Sequence, residues 1–172
     1  MTDQTASISS QSIIDIAEFA RLGKSCEGEI GVRDLPRLQD MIVPGEQRLH
    51  FHLQGSLSPR REPRIACIIR GHLSLRCERC LGVFEHRLEL LSTVVFVTDE
   101  SLLPAIEDEE AAIDYVVGET TLNVRTLIED EIILALPLVP RHETGECQAS
   151  AEEVADYDKP LPFATLAKLR RE

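Results

Sequence analysis

Apolar and polar residues along the chain change period twice. From Ser12 to Leu22, Ile13, Ile16, Ala17 and Ala20 fall at helical spacing, and Gly23 supplies a stop signal. A second, short helix is expected with Asp34 as its N-cap, Pro36 in the first turn, and Leu38, Met41 and Ile42 behind. The period then drops to two. Leu49, Phe51 and Leu53 alternate with His50, His52 and Gln54. After a Pro- and Arg-rich loop from Ser58 to Pro63, Ile69, Gly71, Leu73 and Leu75 alternate with Arg70, His72, Ser74 and Arg76. Phe84, Leu88, Leu90, Val94 and Phe96 then share a face opposite Glu85, Arg87 and Glu89. Three long alternating runs joined by short loops predict an antiparallel meander with one buried and one solvated face.

Past residue 97 the pattern shifts again. Acidic residues Glu107 to Glu110 read as a solvated loop, and the β-branched run Ile113 to Val117 as a further strand. Asn123 is placed to cap a helix through Leu127, Ile128, Glu131, Ile132 and Ala135, ended by Pro137. A final short helix is expected from Phe163 to Arg171, its basic end suiting the helix dipole. The fold class is therefore α+β, an antiparallel meander sheet packed against one apolar helix (Asn123 to Leu136), with short N- and C-terminal helices. Residues 1–10 read as a disordered polar tail and 11–172 as one domain, with an acidic loop at 98–112 and a polar loop at 141–160.

Composition narrows the function classes. The chain carries 30 acidic and 18 basic side chains and no Trp, which disfavours an aromatic platform for single strands and an all-over basic coat. The charge is unevenly divided: residues 48–87 hold 8 basic and 3 acidic side chains, whereas 98–158 hold 2 basic and 17 acidic. No run of about 18 apolar residues predicts a membrane span. The opening MTDQTASISSQ lacks the order of a signal peptide, and five cysteines suit a reduced, cytoplasmic setting.

The sharpest chemical feature is Cys77-Glu78-Arg79-Cys80, placed where the second and third long strands should meet. Two thiolates so spaced can share a tetrahedral metal ion, with zinc the candidate cofactor, or can shape a turn as reduced residues. The candidate remaining ligands are His142 and Cys147, although sixty-one residues separate Cys80 from His142 and nothing in the sequence makes them converge. Thiol-disulfide chemistry fits poorly because the pair lies between strands and not at a helix start. Cys26 and Cys67 read as packing residues. Glu129, Asp130 and Glu131 point in different directions on a helix, so a polar face with one inward residue is favoured over a carboxylate site. No nucleophile elbow or phosphate-cradling loop occurs, so no catalytic residue is assigned. Arg60, Arg61, Arg64, Arg70, Arg76, Arg79 and Arg87 are candidates for one patch meeting RNA phosphates or an acidic partner, unless they pair with the protein's own acidic half.

Two stretches carry a family resemblance: Leu75-Arg76-Cys77-Glu78-Arg79-Cys80-Leu81, and Glu129-Asp130-Glu131-Ile132-Ile133-Leu134-Ala135-Leu136-Pro137-Leu138-Val139-Pro140 followed by His142 and Cys147. The ending Lys159-Pro160, Pro162-Phe163-Ala164 and Leu166-Ala167-Lys168-Leu169 fits as well. Together they resemble the YceD family, named for accumulation of large-subunit ribosomal RNA in bacteria and chloroplasts. The resemblance spans about residues 10 to 172 and makes Glu129, Asp130, Glu131 and Pro137 a signature helix and exit. It implies a non-enzymatic factor supporting 23S rRNA accumulation and large-subunit biogenesis, with an rRNA precursor or a ribosomal or assembly protein as partner. Arg60, Arg61, Arg64, Arg76 and Arg79 would form the contact surface. Many relatives carry a richer cysteine segment after the Leu-Pro exit; here only His142 and Cys147 stand there. The alternative is an acidic protein-only adaptor or chaperone for a basic client.

Overall fold

The computed structural model describes residues 13–104, 113–143 and 146–147. The expected N-terminal tail, the Glu107–Glu110 loop and the Phe163–Arg171 helix lie outside the described residues. So do Ser12 and most of the 141–160 loop.

The chain builds a five-stranded sheet from β2 (Ser25–Gly31), β3 (Arg48–Leu57), β4 (Pro63–Arg76), β5 (Val83–Val97) and β6 (Ile113–Val117), adjacent in that order. The first four strands are an antiparallel meander, of which the alternation predicts β3, β4 and β5. β6 instead runs parallel to β5, pairing Thr93 with Ile113 and Val97 with Val117, so the sheet is mixed. A parallel neighbour requires the chain to travel back along the strand it has just left, and residues 98–112 supply that length.

β2 was not legible as a strand. Its buried residues are Cys26 and Ile30, and the position between them is Gly28, directly across from Phe51. A Cβ on Gly28 would stand 3.2 Å from the Phe51 ring. The cross-strand aromatic thus fills the gap that a third apolar side chain would have marked.

The two helices start alike. The expected helix from Ser12 is shorter: Ile13–Asp15 is strand β1, and helix α1 covers Ile16–Arg21. β1 pairs with β7 (Thr121–Asn123) in a small antiparallel ribbon. Asp15 caps α1 by accepting from the Glu18 amide at 2.7 Å, and Asn123 caps α2 (Val124–Ala135) by accepting from Arg125 at 3.0 Å. An Asx residue that stays extended while its side chain takes a helix amide ends a strand and starts a helix in one step. This is why Ile13 to Asp15, although correctly spaced for a helix, stay extended. The predicted helix behind Asp34 is instead two 3₁₀ turns, Val32–Asp34 and Pro36–Leu38, with Leu35 between them and Met41 exposed.

One sheet face is buried. Leu49, Phe51 and Leu53 of β3, Ile65, Ile69, Leu73 and Leu75 of β4, and Leu88, Val94 and Phe96 of β5 join Ile16 and Phe19 of α1 and Ile128 and Ile132 of α2 in a single core. α1 crosses β3 so closely at Gly55 that a Cβ there would stand 2.5 Å from the Phe19 carbonyl oxygen. β4 outruns β3, and its free edge is covered by the loop before β3. Val43 donates its amide to the Ser74 carbonyl at 2.7 Å, and the Gln47 side chain bridges Val43 O and the Ser74 amide.

α2 buries two acids, not the single inward residue expected. Glu129 accepts from the Arg37 amide at 2.6 Å and from Arg37 Nε at 3.0 Å, which pins the Pro36–Leu38 turn onto the helix. Asp130 takes the same guanidinium from outside. Glu131 is buried on another side of α2 and makes no ion pair among the described residues.

Because Glu129 satisfies a backbone amide as well as a charge, Glu129→Ala should lower unfolding free energy by about 1.5–3 kcal/mol. Asp130→Asn, which removes only a surface pair, should change it by less than about 1 kcal/mol. Urea midpoints of the two variants check the ranking. Gly55→Ala should also lower the midpoint, by an overpacking cost of about 1–3 kcal/mol.

Candidate metal centre

The long β4–β5 hairpin ends in the turn carrying Cys77 and Cys80. The Cys77 amide donates to the Gly82 carbonyl and the Leu81 amide to the Cys77 carbonyl, both at 2.8 Å, and Leu81 takes a left-handed φ of 60°. The Arg79 amide points at Cys77 Sγ, 3.4 Å away. The two cysteines are therefore held on one side of a knuckle.

The sequence gap to His142 is closed by α2. That helix ends at Ala135, Leu136 is buried in the core, and the chain turns toward the knuckle after the exposed Pro137. There the Glu78 amide donates to the Pro140 carbonyl at 2.9 Å. His142 then lies over Phe84, with ring centroids 5.0 Å apart.

Cys77, Cys80, His142 and Cys147 converge so that their ligand atoms all lie within 4.8 Å of one another. Cys77 Sγ and Cys147 Sγ are 3.6 Å apart, Cys80 Sγ and His142 Nδ1 3.4 Å, and Cys147 Sγ and His142 Nδ1 3.6 Å. A tetrahedral ion bound at ~2.3 Å to sulfur and ~2.0 Å to nitrogen has S···S edges of roughly 3.8 Å and S···N edges of roughly 3.5 Å. The four groups thus fit one tetrahedral metal ion, and all four sequence candidates are among them.

The electrostatics suit thiolates. Burial pushes the Cys77 thiol up, but the amides of His142, Cys80 and Arg79 and the His142 side chain outweigh it and bring it down to about 5. For Cys80 the Gly82 amide acts downward, yet burial and the neighbouring Cys147 and Cys77 sulfurs leave it raised. Three sulfurs this close cannot all be anionic without a cation among them, which is the service a metal ion provides. Arg79 supplies part of that charge, donating from Nε to Cys147 Sγ at 3.1 Å, a bond that raises its own pKa.

The arginines do not form one patch. Arg60 and Arg61 sit in the β3–β4 turn and Arg64 at the start of β4, where its Nε meets Ser56 Oγ at 3.1 Å. Arg76 and Arg79 sit at the other end of that strand, roughly 40 Å away at ~3.3 Å per residue. Between them the solvated sheet face mixes acids with histidines and arginines, with Arg70 exposed and in no ion pair among the described residues. Glu27 and Glu29 of β2 face His52 and His50, Glu29 also meets Arg48, His72 faces Glu85, and Arg87 pairs with Glu89. Among the described residues Arg48 and Arg87 pair with acids on their own or a neighbouring strand and not with the 98–158 segment. The residue that sequence reasoning missed is Arg37, whose pairing with Glu129 joins two oppositely charged side chains far apart in the chain.

The fold and the site together define a class: a mixed-sheet α+β protein whose longest hairpin ends in a Cys3His knuckle completed from the exit of its core helix. Residues 65–170 match the profile of the family described as "Large ribosomal RNA subunit accumulation protein YceD". A Haemophilus influenzae protein of that same description is 30% identical over 156 residues, covering 84% of this chain and 86% of its own length. The chain belongs to the YceD family. No solved structure matches it. Among the described residues, no helix is long and apolar enough to cross a membrane.

Cys26 and Cys67 stand apart. Burial, chiefly, pushes their thiols up to about 11 and about 12. In chelator-treated, reduced protein at pH 8, a thiol reagent should label Cys77 quickly, while Cys26 and Cys67 react only after unfolding. Peptide mapping of the labelled sites checks this.

Proposed function

We propose that the protein is a non-enzymatic cytoplasmic factor supporting 23S rRNA accumulation and large-subunit biogenesis, and that it binds large-subunit rRNA or an early ribosomal protein. The observation that carries this reading is the family match across the whole site-bearing part of the chain, with a relative named for rRNA accumulation. The geometry adds where contact would occur. Among the described residues, cations without an ion pair lie at the two ends of β4, with Arg60, Arg61 and Arg64 at one and Arg76 at the other, where Arg79 lies against Cys147. The separation of the two ends means that each contacts phosphate or an acidic surface separately.

In this reading the Cys3His group holds zinc, whose preference for three thiolates and an imidazole matches the donor set. Zinc there serves structure. It fixes the knuckle to the exit of α2 and so orients Arg76 and Arg79. The acidic composition favours a second reading, a protein-only adaptor for a basic client, and salt separates the two.

Purified protein should bind naked 23S rRNA with an affinity that falls steeply as salt rises, with a log–log slope of about 0.7–0.9 per phosphate contacted. Replacing Arg60 and Arg61, or Arg76, by Glu should weaken binding and flatten that slope. Capture of a basic ribosomal protein with no affinity for naked rRNA would transfer the role to the adaptor. Protein purified without chelator should hold one zinc per chain, lost in Cys80→Ser; a metal-free wild type would remove zinc from this account.

A further inference from the structure

A large groove lies away from the knuckle. It occupies about 520 Å³ between α2, the β1–β7 ribbon and the end of the sheet, with Phe96, Val116 and Leu122 among its apolar walls. Leu134 lines it while 75% exposed, and Ile13 while 71% exposed, so the apolar surface continues out of the groove onto both rims. Asp114, Glu119 and Asp130 add negative charge around it.

Glu131 is the unusual member. It lines the same groove at 5% exposure, and no cation faces it among the described residues. Beside it stands the buried Ser92 hydroxyl, which no other side chain or backbone group among the described residues satisfies. Burial, reinforced by Asp114 and Asp130, holds the Glu131 carboxyl above the usual range, and the nearby Ser92 hydroxyl offsets only part of this. An acid placed under apolar walls costs stability unless a cation reaches it, and a Lys or Arg side chain also brings an aliphatic stem that suits the walls.

We propose that this groove is the seat of the chain's own C-terminal segment, residues 159–172, with a cation from Lys168, Arg170 or Arg171 meeting Glu131. Three observations single out that occupant. Its charge is complementary, since Lys159, Lys168, Arg170 and Arg171 face one acid, Glu172, within the segment. Its apolar residues Phe163, Leu166 and Leu169 recur at intervals that place them on one side of a helical turn. The family match runs through residue 170, so the segment lies within the same matched region as β5, β6 and α2 that form the groove.

The reach is sufficient. From Val83, beside the knuckle, to Val94, in the groove, β5 spans roughly 36 Å at ~3.3 Å per residue. Residues 148–162 extend to about 50 Å, so Phe163 reaches the groove with slack. Because the segment is tethered, docking needs no strong intrinsic affinity; a linker of this length supplies a local concentration on the order of millimolar. This inference stands apart from the rRNA reading, since the groove and its occupant belong to the same chain.

Photo-crosslinking of the full-length chain tests it. A benzophenone side chain replaces Leu134 in one preparation and Ile13 in another, both exposed positions whose replacement leaves the core intact. An equal mixture of ¹⁵N-labelled and unlabelled chains is irradiated and the joined peptides are read by mass spectrometry. The expected result is crosslinks from both positions to peptides within 159–172 of the same chain. Their yield should fall at least fivefold in K168E/R170E/R171E, which leaves every groove residue in place. Crosslinks between differently labelled chains would assign the groove to a second copy. Crosslinks elsewhere in the same chain, or none at either position, would also overturn the proposal, as would a yield unchanged by the charge reversal.

Discussion

The constraint on which the rest of the structure depends is the length of the β4–β5 pairing. Its register runs unbroken from Arg64 opposite Val95 to Arg76 opposite Val83. Side chains alternate across a strand, so that single register decides which residues of both strands are buried. It also decides what must be added. β3 pairs with β4 only from Pro63 to Gly71, which leaves Leu73 and Leu75 on an arm that outruns the sheet, although both are fully buried. The loop around Val43 and Gln47 covers the free edge, and the 3₁₀ turns and α2 complete the apolar surround. At the tip of the arm no sheet remains, and the Cys3His group closes the structure there.

α2 is the element on which these additions converge, and its charged residues divide the work. Glu129 draws in Arg37 and with it the Pro36–Leu38 turn, joining the N-terminal third of the chain to the helix. The helix end then carries Pro140 and His142 to the knuckle. Glu131 takes part in neither task. A buried ion pair that also satisfies a backbone amide has a clear structural return, whereas Glu131 is buried with no cation facing it among the described residues. The contrast between two acids two residues apart separates the part of the helix that holds the fold together from the part left for another surface.

What the sequence disclosed followed from periodicity. The three long strands, their buried faces, the Asn123 cap and the end of α2 at Pro137 are all local patterns. What it hid were effects that lie outside any local window. Ile13 to Asp15 fit a helix by spacing but pair with Thr121–Asn123, more than a hundred residues away. β2 lost its alternation to Gly28, whose missing side chain is replaced by Phe51 of the next strand. β6 reversed direction because its connection was long enough to allow it. The Cys pair and its two possible partners could be named from residue type, but their meeting depends on α2 docking and then turning at Pro137. The arginines show the opposite error: near in sequence, they look like one patch, yet a 14-residue strand sets them at opposite ends.

The site's own topology gives metal binding a wider consequence than the shape of one turn. Two donors come from the hairpin tip and two from the chain beyond α2, so an ion bound by all four closes a circuit through β5, β6, β7 and the core helix. Binding energy gained only when those donors meet is also energy for docking α2 on the sheet, because a ligand selective for the folded state stabilises that state. Without an ion the three close sulfurs do not all ionise, and among the described residues the exit of α2 is tied to the hairpin by the Glu78–Pro140 hydrogen bond and the contact of His142 with Phe84. Arg79 lies against Cys147, so the same closure that joins helix to hairpin also sets the direction of a cation at the tip. Core packing, metal site and surface charge are therefore coupled at the knuckle through atoms in direct contact.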